Sequence, residues 1–118
     1  MLRFARLALA LSAAGLLTAC AGMITGGPLI RPGEPTGAIS VINRTNHTIG
    51  VVSISACSAS TYGLNRLPNG VAIPPGRSYQ FQVSAGCWDI DAGAFGVGEA
   101  RQRLTVAAGQ VTRYTVTD

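Results

Sequence analysis

The 118-residue chain contains no lysine: all nine of its cations are arginines, set against five acids. Arginine used to this exclusion has two readings, a coding bias or the recruitment of guanidinium groups for phosphate or carboxylate recognition. His47 is the single histidine available as a nitrogen ligand and no C-x-x-C pair occurs, so the three cysteines give a zinc site poor support. No G-x-S-x-G occurs, and any Ser-His-Asp or Cys-His device would have to be built around His47, which stands beside a turn. His47 is therefore read as a surface residue, with no catalytic residue and no metal ligand assigned. Long apolar runs are missing as well. The block Leu7–Leu17 has eleven residues, and as a helix it covers roughly 16 Å, about half of a ~30 Å hydrocarbon core, which disfavours a transmembrane span. Beyond the first twenty residues no stretch of ten or more has helical spacing, which leaves the all-β architectures.

What is present begins with an address. Arg3 and Arg6 precede the apolar block and small residues follow it, the layout of a secretory signal, helical where it forms. Leu17-Thr18-Ala19-Cys20 resembles the lipobox of bacterial lipoproteins at every position. The resemblance implies that a diacylglycerol is attached to the Cys20 sulfur, that the signal 1–19 is cut just before it, and that the new amino group is acylated. One acyl chain holds a bilayer marginally, at about 0.8 kcal/mol per buried CH₂, whereas two or more hold firmly. The alternative is an ordinary signal with a chance cysteine near its cleavage site. Ala21 stands where an aspartate would mark inner-membrane retention, so the expected location is the outer membrane, facing the periplasm.

Removal of residues 1–19 leaves 99, enough for one domain. Without Arg3 and Arg6, seven arginines face five acids, about +2, which is not the footprint of a nucleic-acid binder. With Cys20 assigned to lipid, Cys57 and Cys87 remain as a pair that an oxidising periplasm would join. Closing a loop of that length is worth roughly 3 to 4 kcal/mol in the chain-entropy model.

From Ala21 to Gly37 the chain has five glycines and three prolines and no sustained period. Residues 20–37 are accordingly read as a lipidated flexible tether, and residues 38–118 as the folded domain. AISVIN, an Asn43-Arg44-Thr45-Asn46 corner and HTIGVVSIS read as a hairpin. Residues 57–77 form a long irregular segment whose Tyr62, Leu64 and Leu67 plug one end of a core. In SYQFQVS, Tyr79, Phe81 and Val83 alternate with Gln80, Gln82 and Ser84, one face buried and the other wet. Trp88 and Ile90 then alternate with Asp89 and Asp91. ARQRLTV and QVTRYTV, joined by Ala107-Ala108-Gly109, read as a final hairpin. The expected fold is a small antiparallel β-sandwich of immunoglobulin-like type with six or seven short strands and one disulfide, and a partly open barrel is the second choice.

YGLNRLPNG followed by IPPGRSYQFQVSAGCWDID is similar to small exported proteins of Gram-negative bacteria, in which an aromatic-Gly-x-Asn-x-Leu segment precedes a Pro-Gly turn and a Gly-Cys-aromatic-Asp run. Tyr62, Gly63, Asn65 and Leu67 carry the first half, and Gly86, Cys87, Trp88 and Asp89 the second. The resemblance covers about half the mature chain and implies a β fold and export, with no cofactor and no activity to carry over. Two surface candidates remain. Asp89 and Asp91 on one strand face offer carboxylates to a cation or pair with arginines, and Arg101, Arg103 and Arg113 would share an outer face if the last two strands pair. Such a face would dock an envelope protein or an anionic polymer. The functional expectation is a lipid-anchored, non-enzymatic binding or structural module, with a glycan or lipid binder as the alternative and an envelope enzyme or enzyme inhibitor as the third.

Overall fold

A computed structural model describes residues 26–59, 61–94 and 96–118. Cys20 and the signal segment lie outside the described residues. The described chain is all β, with six strands: β1 (Thr36–Arg44), β2 (Val51–Ala56), β3 (Ser78–Ser84), β4 (Gly86–Ala94), β5 (Gly98–Val106) and β6 (Val111–Thr117). They form two three-stranded sheets, β3-β1-β6 and β2-β4-β5, packed face to face. Every pairing is antiparallel except β1 with β6, which is parallel.

The inward residues are those that alternation marks. Ile39 and Val41, Val52 and Ile54, Phe81 and Val83, Trp88 and Ile90, Leu104 and Val106, and Tyr114 and Val116 form one buried cluster fed by all six strands. Burying side chains of this size contributes about 1.5–3 kcal/mol each, which is why a period of two fixes the face of each strand so firmly. Ile49, Leu67 and Ile73 from the connections close the end of the core. Leu67 plugs as expected, whereas Leu64 is 58% exposed.

The partners of the strands differ from the expected ones. β1 and β2 are not a hairpin, because the Asn43–Asn46 corner carries the chain from one sheet to the other. β5 and β6 are not a hairpin either: β5 pairs with β4, and β6 crosses to lie parallel to β1. Side chains bridge the gap that the missing ladder leaves. The Tyr114 hydroxyl donates to the Ala100 carbonyl at 2.5 Å, and the Thr112 hydroxyl to the Thr105 carbonyl at 2.8 Å. Burial beside Asp91 and Tyr62 pushes the Tyr114 phenol up to about 12, so it remains a donor at any physiological pH.

Between β3 and β4 only Ala85 intervenes, and Gly86 at φ +139°, a conformation that favours glycine, lets the strand change sheets within one residue. Trp88 follows, with no exposed surface and its indole N–H donating to the Ser84 carbonyl at 2.8 Å. The Cys57–Cys87 disulfide closes the same end of the sandwich, with Cα atoms 5.5 Å apart.

The segment that composition reads as tether is laid along the domain from Gly26 onward. Gly26 is buried, and its carbonyl accepts from the Ala56 amide at 3.0 Å. The Leu29 carbonyl accepts from Ser84 at 2.7 Å and the Pro35 carbonyl from Ala85 at 2.8 Å. These contacts use backbone carbonyls, which glycine and proline supply as well as any residue.

Candidate functional site

The most concentrated chemistry lies on the outward face of β2-β4-β5. Register sets Ser55, Asp89 and Arg103 on one rung and Ser53, Asp91 and Arg101 on the next, with Gly93 and Glu99 beyond. Two residues per pleat bring the aspartates to one face, and the antiparallel ladder sets each opposite an arginine. Arg103 grips Asp89 with both ends of its fork, Nε to Oδ1 at 2.9 Å and Nη2 to Oδ2 at 3.0 Å. Arg101 is shared: Nε donates to Asp91 at 3.2 Å, Nη2 to Glu99 at 2.7 Å, and the guanidinium lies 4.7 Å from the centre of the Tyr62 ring.

The two aspartates are held in opposite senses. The hydrogen bonds from Arg103 hold the Asp89 carboxyl below its ordinary range. Asp91 is only 9% exposed, and burial, followed by the Glu99 carboxylate beside it, raises its pKa against the opposing pull of Arg101. Its Oδ1 and the Ser55 hydroxyl are buried without a hydrogen-bond partner. A raised Asp beside a second acid is the arrangement that acid–base chemistry uses. Here Arg101 is bonded to both carboxylates, so the pair clamps β4 to β5.

The expected arginine trio is not assembled. Arg101 and Arg103 sit on β5, neutralised by their acids, while Arg113 lies on β6 of the other sheet, level with Ser40. The hairpin that would have united them is absent because β6 pairs with β1. Arg44, Arg77 and Arg113 make no ion pair among the described residues, and all three are exposed. His47 is exposed, and its carbonyl, not its ring, receives the bonds that hold the corner. Asp118 reaches the Asn46 amide at 3.1 Å and not the imidazole. Among the described residues no group of three or more His, Cys, Asp or Glu side chains is placed to hold a metal ion.

Two open clefts flank the Gly93–Gly98 end of the β4–β5 hairpin. One, of about 200 Å³, is lined by His47, Ile49, Val97, Glu99, Val116 and Asp118 among others. The other, of about 440 Å³, runs along Val51, Asp91, Val97 and Glu99. Neither encloses its contents in the way a small-molecule site of ~300–1,000 Å³ does.

Three structural roles were not assigned from the sequence. Asn65 accepts from the Val52 amide at 2.9 Å and the Leu67 amide at 3.1 Å, covering the free edge of β2. Arg66 donates to the Ile54 carbonyl at 3.2 Å and to the Gly27 carbonyl at 2.5 Å, and burial lowers its pKa. Arg31 lies 5.0 Å from the centre of the Trp88 ring while its amide bonds the Ser84 hydroxyl at 2.7 Å. The signal for Asn65 lies in YGLNRLPNG, where it is one of the positions that carry the resemblance to small exported proteins.

No family model and no curated protein matches the chain.

Proposed function

We propose that this chain is a lipid-anchored protein of the cell envelope, acylated at Cys20, sited at the outer membrane facing the periplasm, and carrying a non-enzymatic sandwich that serves as a binding or structural module. The observation that carries the reading is the Cys57–Cys87 bridge. It uses two of the three cysteines, leaves Cys20 for a different task, and suits an oxidising compartment. The lipobox match at Leu17–Cys20 supplies that task. The commitment of Arg101 and Arg103 to ion pairs with Asp89, Asp91 and Glu99 supports a module that holds its shape.

For an anionic envelope polymer, the supporting residues move from the predicted trio to Arg44, Arg77 and Arg113, which are exposed and make no ion pair among the described residues. Intact-mass analysis of protein extracted from native membranes tests the anchoring. The expected product begins at Cys20 and carries fatty acyl mass; a product that begins elsewhere, or carries no acyl mass, overturns it. Crosslinking and pulldown from the same membranes then tests the module, with an enriched envelope partner as the expected result.

A further inference from the structure

We infer that the disulfide end of the sandwich rests on the bilayer surface, with the β4–β5 hairpin end pointing away from it. The inference rests on the acylation of Cys20 and adds to it an orientation and a contact surface.

The first argument is the length of chain between anchor and fold. Because Gly26 is already bonded to Ala56, at most residues 20–25, and not the whole of 20–37, separate the acylated cysteine from the docked chain. Six residues, whatever their conformation, span at most about 20 Å. The leash leaves the domain at one particular place. Gly26 lies against Ser55 and Ala56, at the end of β2 where Cys57 is bridged to Cys87. The Val106–Val111 connection lies at that end too, since Gly86 pairs with Val106 and Gly109 bonds Thr36. An acyl anchor on so short a tether keeps this end at the headgroups, at an effective concentration that makes even weak surface contacts count.

The second argument is what that end presents. The charged side chains there are Arg31 and Glu34, which are bonded to each other, and the half-buried Arg66, whose guanidinium is taken up by the Gly27 and Ile54 carbonyls. Ile30 is 48% exposed and Val111 51% exposed, and Pro28, Pro32, Ala107 and Ala108 are exposed around them. The far end carries Arg44, His47, Arg77, Glu99 and Asp118, all exposed. An end with exposed aliphatic side chains, its cations engaged within the fold, fits the headgroup boundary, where apolar side chains insert. The charged end fits water.

The test uses the acylated mature protein, beginning at Cys20, in vesicles of phosphatidylethanolamine and phosphatidylglycerol, with or without brominated acyl chains. Ile30→Trp and Val111→Trp report the disulfide end and Val97→Trp the hairpin end, with the emission of the buried Trp88 subtracted using the unmodified chain. An interfacial side chain lies ~5–10 Å into the headgroup boundary, so bromine is expected to quench the first two variants roughly threefold more than the third. Equal quenching of all three, or stronger quenching of Val97→Trp, overturns the orientation. Flotation and intact mass on the same samples separate the two ideas. A chain that carries acyl mass and floats but shows no difference between its ends sinks only the orientation; a chain without acyl mass sinks the anchoring reading and the orientation with it.

Discussion

Asp89 and Arg103 face each other across β4 and β5 with both guanidinium donors on both carboxylate oxygens, whereas one rung away Asp91 shares its arginine with Glu99. Two aspartates separated by a single residue therefore answer opposite electrostatic demands. Arg103 favours the charged form of Asp89, and burial with a neighbouring carboxylate favours the neutral form of Asp91. The charge pattern D-x-D is identical for both in the sequence; what separates them is the deeper burial of Asp91 and the Glu99 carboxylate that shares its arginine.

The pH dependence of stability follows with two signs. Asp89, with its folded pKa lowered, contributes stability that is present above its unfolded pKa of about 3.9 and lost as pH falls through the folded value. Asp91, with its folded pKa raised, contributes stability that is fully present below about 3.9 and lost as pH rises through the folded value. Asp91→Asn keeps an acceptor for Arg101 and sets an amide donor toward Glu99, so it is expected to flatten the decline above about pH 4 and to raise stability at neutral pH. Urea unfolding as a function of pH, with carboxyl titration by NMR, checks both. The account fails if the two aspartates titrate together at the ordinary value.

Replacing Cys57 and Cys87 by serine is expected to lower stability by roughly 3 to 4 kcal/mol, the loop-closure value for the 30-residue separation. Cys87 is exposed and Cys57 half-buried, so a small thiol reductant is expected to reach the bridge in the folded protein and reproduce the loss. Urea midpoints with and without reductant measure it. An unchanged midpoint would show that the fold does not depend on the staple.

Gly26 is fixed by space as well as by conformation. It has φ +85°, and a Cβ there would lie 2.4 Å from the Ser55 Cβ. Gly26→Ala therefore meets a left-handed penalty of about 1–2 kcal/mol in addition to the contact, and the easiest relief is for residues 26–29 to lift away. The Ala56 and Ser84 amides, which bond Gly26 and Leu29, are expected to exchange with solvent roughly tenfold faster. Gly50→Ala, with open space around it and no positive φ, is the control and leaves both amides unchanged.

Which face of each strand is buried was legible; which strand lies beside which was not. SYQFQVS and CWDID present a period of two, and Phe81, Val83, Trp88 and Ile90 are all inside. The same period is satisfied by any neighbour, so nothing in QVTRYTV distinguishes an antiparallel partner in β5 from a parallel partner in β1. That choice decides where Arg113 lies, and with it the expected arginine face. The pairing of Cys57 with Cys87 was readable once Cys20 had been set aside. For residues 26–35 the apolar Leu29-Ile30 pair hints at a contact with the domain, and Leu29 packs against the core while Ile30 is exposed; the rest of the docking was not legible, because it uses backbone carbonyls whose acceptor strength does not depend on the side chain. Asn65 belongs to a quoted motif, yet its role in covering β2 required knowing that β2 is an edge.

The corner at Asn43 carries the sharpest of the stability predictions. Its side chain is fully buried, with Nδ2 donating to the His47 carbonyl at 2.7 Å and to the Ile73 carbonyl at 2.8 Å, while Oδ1 accepts from the Thr45 amide at 2.9 Å. One amide thus ties the end of β1 to both loops at that end of the core. Leaving buried donors and acceptors unmatched costs about 1–3 kcal/mol per group, so Asn43→Ala is expected to lower stability by roughly 3 kcal/mol or more. Asn43→Asp preserves size and the Thr45 bond but replaces the Nδ2 that donates twice by a single oxygen facing two carbonyls, and as a buried carboxylate it must take up a proton. It is therefore expected to be as damaging as the alanine at neutral pH and to recover part of its stability in acid, where the neutral acid restores one donor. Thermal unfolding of the two variants at neutral and acidic pH checks this, and an aspartate variant as stable as the parent chain would show that the Nδ2 bonds do not hold the corner.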